Sequence, residues 1–220
     1  MKHLSIIFFS FFLIFAITGC GDKKDGSKKD SEKTSSSEIP ANNNAKKIEM
    51  KTKTGKTFTI TIAPKSGKIS DIFVFGTGFG NSSDTVYSDT VYINDAFLYD
   101  NAVLADLDGN GFEELYIITK SKGTDSYLNL SGVVSNNDKS YTPVYIQNID
   151  ENDLKAGKNF DGYMGHDKFT FEKDRIVREF PVYKENDTMD KPSGGTRKVF
   201  YKLTAGEAAW QLKVAEENKK

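Results

Sequence analysis

Cysteine is almost absent from the sequence: Cys20 is the only one, so no intrachain disulfide is available. Histidine is nearly as scarce. His166 is the only one beyond the first few residues, and structural or catalytic zinc sites draw on several Cys or His ligands. There is no Gly-x-Ser-x-Gly nucleophile elbow. No unit repeats at a fixed period, which argues against a propeller or solenoid. Positive charge is not in excess either. Thirty Lys and Arg stand against 31 Asp and Glu, so the electrostatic footprint of a nucleic-acid-binding protein is missing. A fold built from this chain must rest on its apolar core.

Only one long apolar run is present, and it lies at the start. Lys2 supplies a positive end, Leu4 to Ile17 is nearly unbroken apolar sequence, and Thr18 and Gly19 lead into Cys20. These are the three parts of a secretory signal, with an apolar segment too short for a stop-transfer span. Ile17-Thr18-Gly19-Cys20 resembles the bacterial lipobox. The resemblance implies cleavage of residues 1–19 and lipid on Cys20, with several acyl chains giving stable anchoring. The expected location is the bacterial cell envelope, lipid-anchored to a membrane and facing the periplasm or the cell exterior.

Residues 20–47 carry the cysteine and then a polar mixture of Asp, Lys, Ser, Glu, Thr and Asn. Such a segment cannot bury enough surface to offset the entropy of ordering it. It reads as a tether, with a root-mean-square reach of about 30 Å.

Residues 48–220 read as one domain of strands. Ile48 to Met50 and Phe58 to Ile62 alternate around Lys53-Thr54-Gly55-Lys56 and predict a hairpin. Ile69 to Phe75 and Leu115 to Thr119 are further apolar runs. Tyr127 to Val134 and Tyr141 to Ile146 flank Asn136-Asn137-Asp138-Lys139, and Phe169 to Phe171 and Ile176-Val177 flank Glu172 to Arg175. Val199 to Leu203 and Ala209 to Val214 close the series. Asp150 to Ala156 predicts a short helical turn, capped by Asp150 or Asn152. Many short strands between turn signals give an all-β class, an antiparallel β-sandwich or barrel. Phe75 to Gly80 lacks the Lys and the helix of a phosphate loop and reads as a flexible strand end.

Two segments invite a functional reading. In Asp106-Leu107-Asp108-Gly109-Asn110-Gly111-Phe112-Glu113-Glu114, oxygen-bearing side chains alternate at 106, 108 and 110, and two glycines allow a sharp turn. Asp106, Asp108, Asn110 and Glu114 could wrap a calcium ion. The loop is not an EF-hand, because Ile117 occupies the twelfth position and the flanks are strands. The same carboxylates do not suggest a glycosidase. A general acid needs a desolvated pocket, and acidic groups in a Gly-rich turn are expected to be solvated. The second segment, Ser121 to Tyr127, combines hydroxyls, Gly123 and one aromatic expected at the surface, a composition favoured in recognition loops. His166 is expected to be a packed structural residue.

Several stretches, taken in order, resemble the periplasmic inhibitors of invertebrate-type (I-type) lysozyme. They are the aspartate turn with Glu114-Leu115-Tyr116, the Ser121 to Tyr127 loop, Gly162-Tyr163-Met164-Gly165-His166-Asp167, Arg178-Glu179-Phe180-Pro181-Val182-Tyr183, Gly194-Gly195-Thr196-Arg197 and Gly206-Glu207-Ala208. Together they span about residues 100 to 214, and the run from Tyr163 to Tyr183 is the most distinctive. The resemblance implies a β-sandwich that plugs the lysozyme cleft with a loop carrying a Ser and a Tyr three positions apart. Those positions are Thr124, which keeps the hydroxyl, and Tyr127, supported by Ser121, Gly123 and Ser126, while Asp125 stands where the family has Gly. The expectation is a non-enzymatic envelope lipoprotein that inhibits I-type lysozyme and protects peptidoglycan. It needs no cofactor, calcium being the one candidate ion. Its partners would be the lysozyme and, through Cys20, a membrane; a homodimer is compatible with this reading and nucleic acid is not. The alternative is a calcium-stabilised module that binds glycan or cell-wall polymer.

Overall fold

The computed structural model describes residues 44–65, 69–81, 85–86, 90–123 and 126–215. The expected signal segment, Cys20 and most of the expected tether lie outside these residues. Among the described residues no helix is long and apolar enough to cross a membrane.

The chain is all-β. Strands β1 (Lys46–Lys51), β2 (Thr57–Pro64), β3 (Ile69–Thr77), β6 (Thr90–Ala105), β7 (Glu114–Lys120), β8 (Leu128–Ser135) and β9 (Tyr141–Pro143) form a seven-stranded sheet in that order. Between β3 and β6, the short β4 (Gly80–Asn81) and β5 (Thr85–Val86) pair with each other. A second sheet has the order β10, β14, β13, β12, β11, from β10 (Tyr145–Ile146), β11 (Lys168–Phe171), β12 (Ile176–Pro181), β13 (Thr196–Ala205) and β14 (Trp210–Ala215). Neighbouring strands are antiparallel except β10 and β14, which run parallel. That exception follows from the path of the chain, which leaves the first sheet at Pro143 and enters the second at Tyr145. Between them the Val144 N–H donates to the Gly132 carbonyl (2.9 Å) and holds the corner.

The hairpins anticipated around Lys53–Lys56, Asn136–Lys139 and Glu172–Arg175 are present, with the register their alternation requires. The first strand starts slightly earlier than the tether boundary suggested, because Lys46 and Lys47 already pair with Ile62 and Thr61. The anticipated helical turn is instead a chain of consecutive turns. N–H groups of Asp153, Lys155, Lys158, Asp161 and Tyr163 each reach a carbonyl three residues back. Asp150 does cap the first turn, its Oδ1 accepting from the N–H groups of Asn152 (2.7 Å) and Asp153 (3.1 Å). Gly157 and Gly162 then take positive φ, which breaks helical propagation.

Two apolar clusters organise the domain. One lies on a single face of the seven-stranded sheet and joins Phe58, Ile60, Ile72, Val74, Leu115, Ile117 and Val133. The sheet curls so far that β9 meets β2: the rings of Phe58 and Tyr141 are 5.7 Å apart, and the Tyr141 hydroxyl accepts the Gly76 N–H at 2.8 Å. The other cluster lies between the sheets, where Tyr116 and Val134 meet Ile176, Phe180, Val199, Tyr201 and Leu212. Strand β7 serves both clusters and is buried from Glu114 to Thr119. Its sequence is therefore a continuous apolar run rather than an alternating one.

The glycine-rich end of β3 is packed, contrary to the flexible end expected. Phe79 is buried, and a Cβ on Gly76 would sit 2.3 Å from Tyr141 and 2.7 Å from Phe79. Gly76→Ala is therefore expected to destabilise the fold by about 1–3 kcal/mol through overpacking, read from the midpoint of urea unfolding. An unchanged midpoint would mean that β9 does not close on β3.

Candidate functional site

The two segments singled out in the sequence occupy opposite ends of β7. Before its first residue lies the aspartate turn. Each carboxylate there is oriented by a backbone amide: Leu107 N–H to Glu114 Oε2 (2.9 Å), Gly111 N–H to Asp106 Oδ2 (3.0 Å) and Asn110 N–H to Asp108 Oδ1 (3.1 Å). Asn110 joins the cluster by donating from Nδ2 to Asp108 Oδ2 (2.8 Å), and its Oδ1 accepts the Phe112 N–H (2.7 Å). One oxygen from each of Asp106, Asp108 and Glu114 lies within 4.8 Å of the others.

These groups are not all solvated, as a Gly-rich turn suggested. Glu114 is fully buried and Glu113 nearly so. Glu113 is engaged by Lys53, whose N–H donates to Oε2 (2.7 Å) and whose ammonium lies 3.1 Å from Oε1. Glu114 has no such partner. Burial, reinforced by the charges of Asp108 and Asp106, pushes its carboxyl up to about 8. Burial likewise raises Asp108 above the ordinary carboxylate range, with Asp106 adding to the effect. Register explains why the sequence misleads here: Glu114 shares a strand face with Tyr116, which points between the sheets.

At the far end of β7 the loop from Ser121 to Tyr127 is closed at its base. Ser121 N–H donates to the Tyr127 carbonyl (2.8 Å), and Tyr127 N–H donates to Ser121 Oγ (2.9 Å). Lys122 and Gly123 are exposed, and Ser126 takes a positive φ of 45°. Thr124 and Asp125 lie outside the described residues. Tyr127 is half-buried rather than exposed, its ring edge-on to Tyr163 at 5.6 Å.

Behind this loop is a buried ionic network that sequence reasoning did not identify. Asp167 Oδ2 accepts from the Tyr163 hydroxyl (2.7 Å), from Arg178 Nε (3.0 Å) and from Arg178 Nη2. Arg178 Nη2 also reaches the Tyr163 oxygen (2.6 Å) and the Leu128 carbonyl (3.1 Å), one residue beyond Tyr127. The Asp167 side chain is wholly buried and that of Arg178 is 9% exposed. The guanidinium also lies 5.0–5.4 Å from the ring centres of Phe160, Tyr163 and Phe169. Burial works against its charge, but Asp167 and the nearby tyrosines outweigh that and hold Arg178 above its usual range. Burial raises the Tyr163 phenol as well, so it remains protonated as a donor. A signal was present in the sequence: Ile176, Arg178 and Phe180 alternate on one face, so an arginine occupies a core position.

His166 is exposed rather than packed, with φ of 58° and its ring 6.5 Å from Tyr183. Its positive φ turns the backbone one residue before Asp167. A groove of about 610 Å³ opens beside Tyr127, lined also by Tyr163, Phe169, Arg178, Tyr201 and Asn148.

No family model, curated protein or solved structure matches the chain.

Arg178→Met should lower the unfolding free energy by about 3–5 kcal/mol, because it strands a buried carboxylate. Adding Asp167→Asn should recover much of that loss. Chemical denaturation distinguishes this from a solvated pair, for which the single change costs about 1 kcal/mol or less.

Proposed function

We propose that the protein is a lipid-anchored envelope inhibitor of I-type lysozyme that acts by insertion of the Ser121–Tyr127 loop into the enzyme's cleft. One observation carries the reading. The stretches most distinctive in the resemblance, Gly162 to Asp167 and Arg178 to Tyr183, contribute Tyr163, Asp167 and Arg178 to the network fastened to Leu128 at the loop's base. A recognition loop gains affinity when it is held in its bound shape beforehand, because less ordering entropy remains to be lost. The closed base between Ser121 and Tyr127 supports the same interpretation.

The mechanism is occupation rather than chemistry. A muramidase cleft presents two carboxyl groups, one acting as a general acid. The hydroxyls of Thr124 and Tyr127 would hydrogen-bond to them, and the tyrosine ring would fill a sugar subsite. Neighbouring loop contacts would keep water out. Lipid on Cys20 and the polar tether would hold the domain close to the peptidoglycan it protects.

The groove beside Tyr127 favours a second reading, a glycan or cell-wall binding module. Its aromatic and hydrogen-bonding side chains suit a sugar ring.

A turbidity assay of cell-wall lysis separates the two. The full chain in molar excess should suppress an I-type lysozyme, and Tyr127→Ala should weaken inhibition by about 2 kcal/mol or more, as for an interface hot spot. Thr124→Ala should also weaken it. Undiminished lysis, together with retention of the protein on isolated peptidoglycan, would replace the inhibitor reading with the glycan one. In cells, Cys20→Ser should move the protein from the membrane fraction to the soluble one.

A further inference from the structure

We propose that the turn between β6 and β7 is a calcium site, with Asp106, Asp108 and Glu114 as its side-chain ligands. The proposal is independent of the lysozyme reading.

Clustered acids alone would not establish a site, since exposed carboxylates gather in many turns. What sets this cluster apart is the state of its buried oxygens. Glu114 is fully buried, yet its Oε1 has no hydrogen-bond partner, and neither does the buried Oδ1 of Asp106. A buried polar oxygen without a partner is costly, and native proteins rarely leave one so. Among the described residues, none of the three carboxylates pairs with a Lys or Arg. The neighbouring Glu113 does, through Lys53, so a cation was within reach of the turn and serves a different carboxylate.

The geometry shows how an ion would resolve this. Backbone amides fix one oxygen of Glu114 and one of Asp106, leaving the other oxygen of each unclaimed. Ligand oxygens about 2.3–2.6 Å from a calcium ion lie up to roughly 5 Å apart, and these three carboxylates meet within 4.8 Å. Asp108 is half-buried, while Gly109, Asn110 and Gly111 are exposed, so the outer side can be completed by backbone carbonyls and water. Gly109 and Gly111 take φ of 71° and 89°, which lets the chain wrap closely. A variable number of oxygen ligands on a flexible turn suits calcium better than magnesium, which demands near-ideal octahedral geometry.

The ion would staple the end of β6 to the start of β7. Asp106 follows β6 immediately, and Glu114 begins β7.

The test uses the full chain in detergent, stripped with EDTA and then titrated with calcium chloride or magnesium chloride. Calorimetry should show one calcium per chain and a much weaker response to magnesium. At a calcium concentration about a hundred times Kd, Tm should rise by roughly 5–10 °C. Terbium bound at the site should show luminescence sensitised by Tyr116 and lost on adding calcium. Asp108→Asn changes a half-buried side chain that can still accept the Asn110 N–H, so the variant should fold. It should bind calcium at least about tenfold more weakly and lose most of the Tm shift. The proposal is overturned if calcium up to about 10 mM, above the weakest class of extracellular sites, produces neither heat nor a Tm shift. It is equally overturned if Asp108→Asn binds calcium as the unaltered chain does.

Discussion

Both segments singled out in the sequence hang from one strand that is buried on both faces. Leu115 and Ile117 of β7 enter the core enclosed by the curled seven-stranded sheet, while Tyr116 enters the core between the sheets. Burying a Leu or Ile side chain stabilises by about 1.5–3 kcal/mol, so this one segment contributes to both cores at once. A strand held from both sides has little freedom to shift along its length, because a one-residue slip would exchange its two faces. Its ends are therefore fixed points. The aspartate turn is attached to one end and the Ser121–Tyr127 loop to the other, separated by about 20 Å of extended chain.

The ends solve the problem of buried charge in different ways. At the loop end, one oxygen of Asp167 gathers the Tyr163 and Arg178 donors and the other, also buried, has none, while Arg178 in turn rests against three aromatic rings. Such a network rarely adds stability beyond what apolar residues of the same volume would give, but it fixes one arrangement and penalises others. In the inhibitor reading, that is the property a recognition loop would need beneath it. At the turn end, Glu114 has a single amide donor and no cation. The absence of a cation paired with Glu114, among the described residues, is what the proposed ion site would answer.

The hairpins were legible because alternation and turn chemistry agreed there and the segments were short. Strand β6 was not legible. Its sixteen residues include Asn94, Asp95, Asp100 and Asn101, which break the apolar pattern. The structure absorbs the second of these interruptions with a register shift between Tyr99 and Asn101. A bulge of this kind follows from tertiary pairing and has no local signature. The burial of Glu114 was hidden for a related reason. Two adjacent glutamates ahead of an apolar run look solvated until the strand's register places one of them inward. Arg178 is the opposite case, since its position between Ile176 and Phe180 already marked it as facing the core.

Residues 44–215 contain no cysteine, so the domain has no covalent staple with which to hold its loops. In the lipoprotein reading it would work outside the cytoplasm, where many small domains rely on disulfides. Noncovalent substitutes are placed where such a staple would be most useful. The Arg178 network links β12 to the start of β8 and to the Tyr163–Asp167 segment, joining positions far apart in sequence. An ion at the aspartate turn would join β6 to β7 in the same manner. With both in place, the two ends of β7 are fastened by electrostatics and its middle by apolar burial. Beyond that fastened base, Lys122 and Gly123 of the loop are exposed.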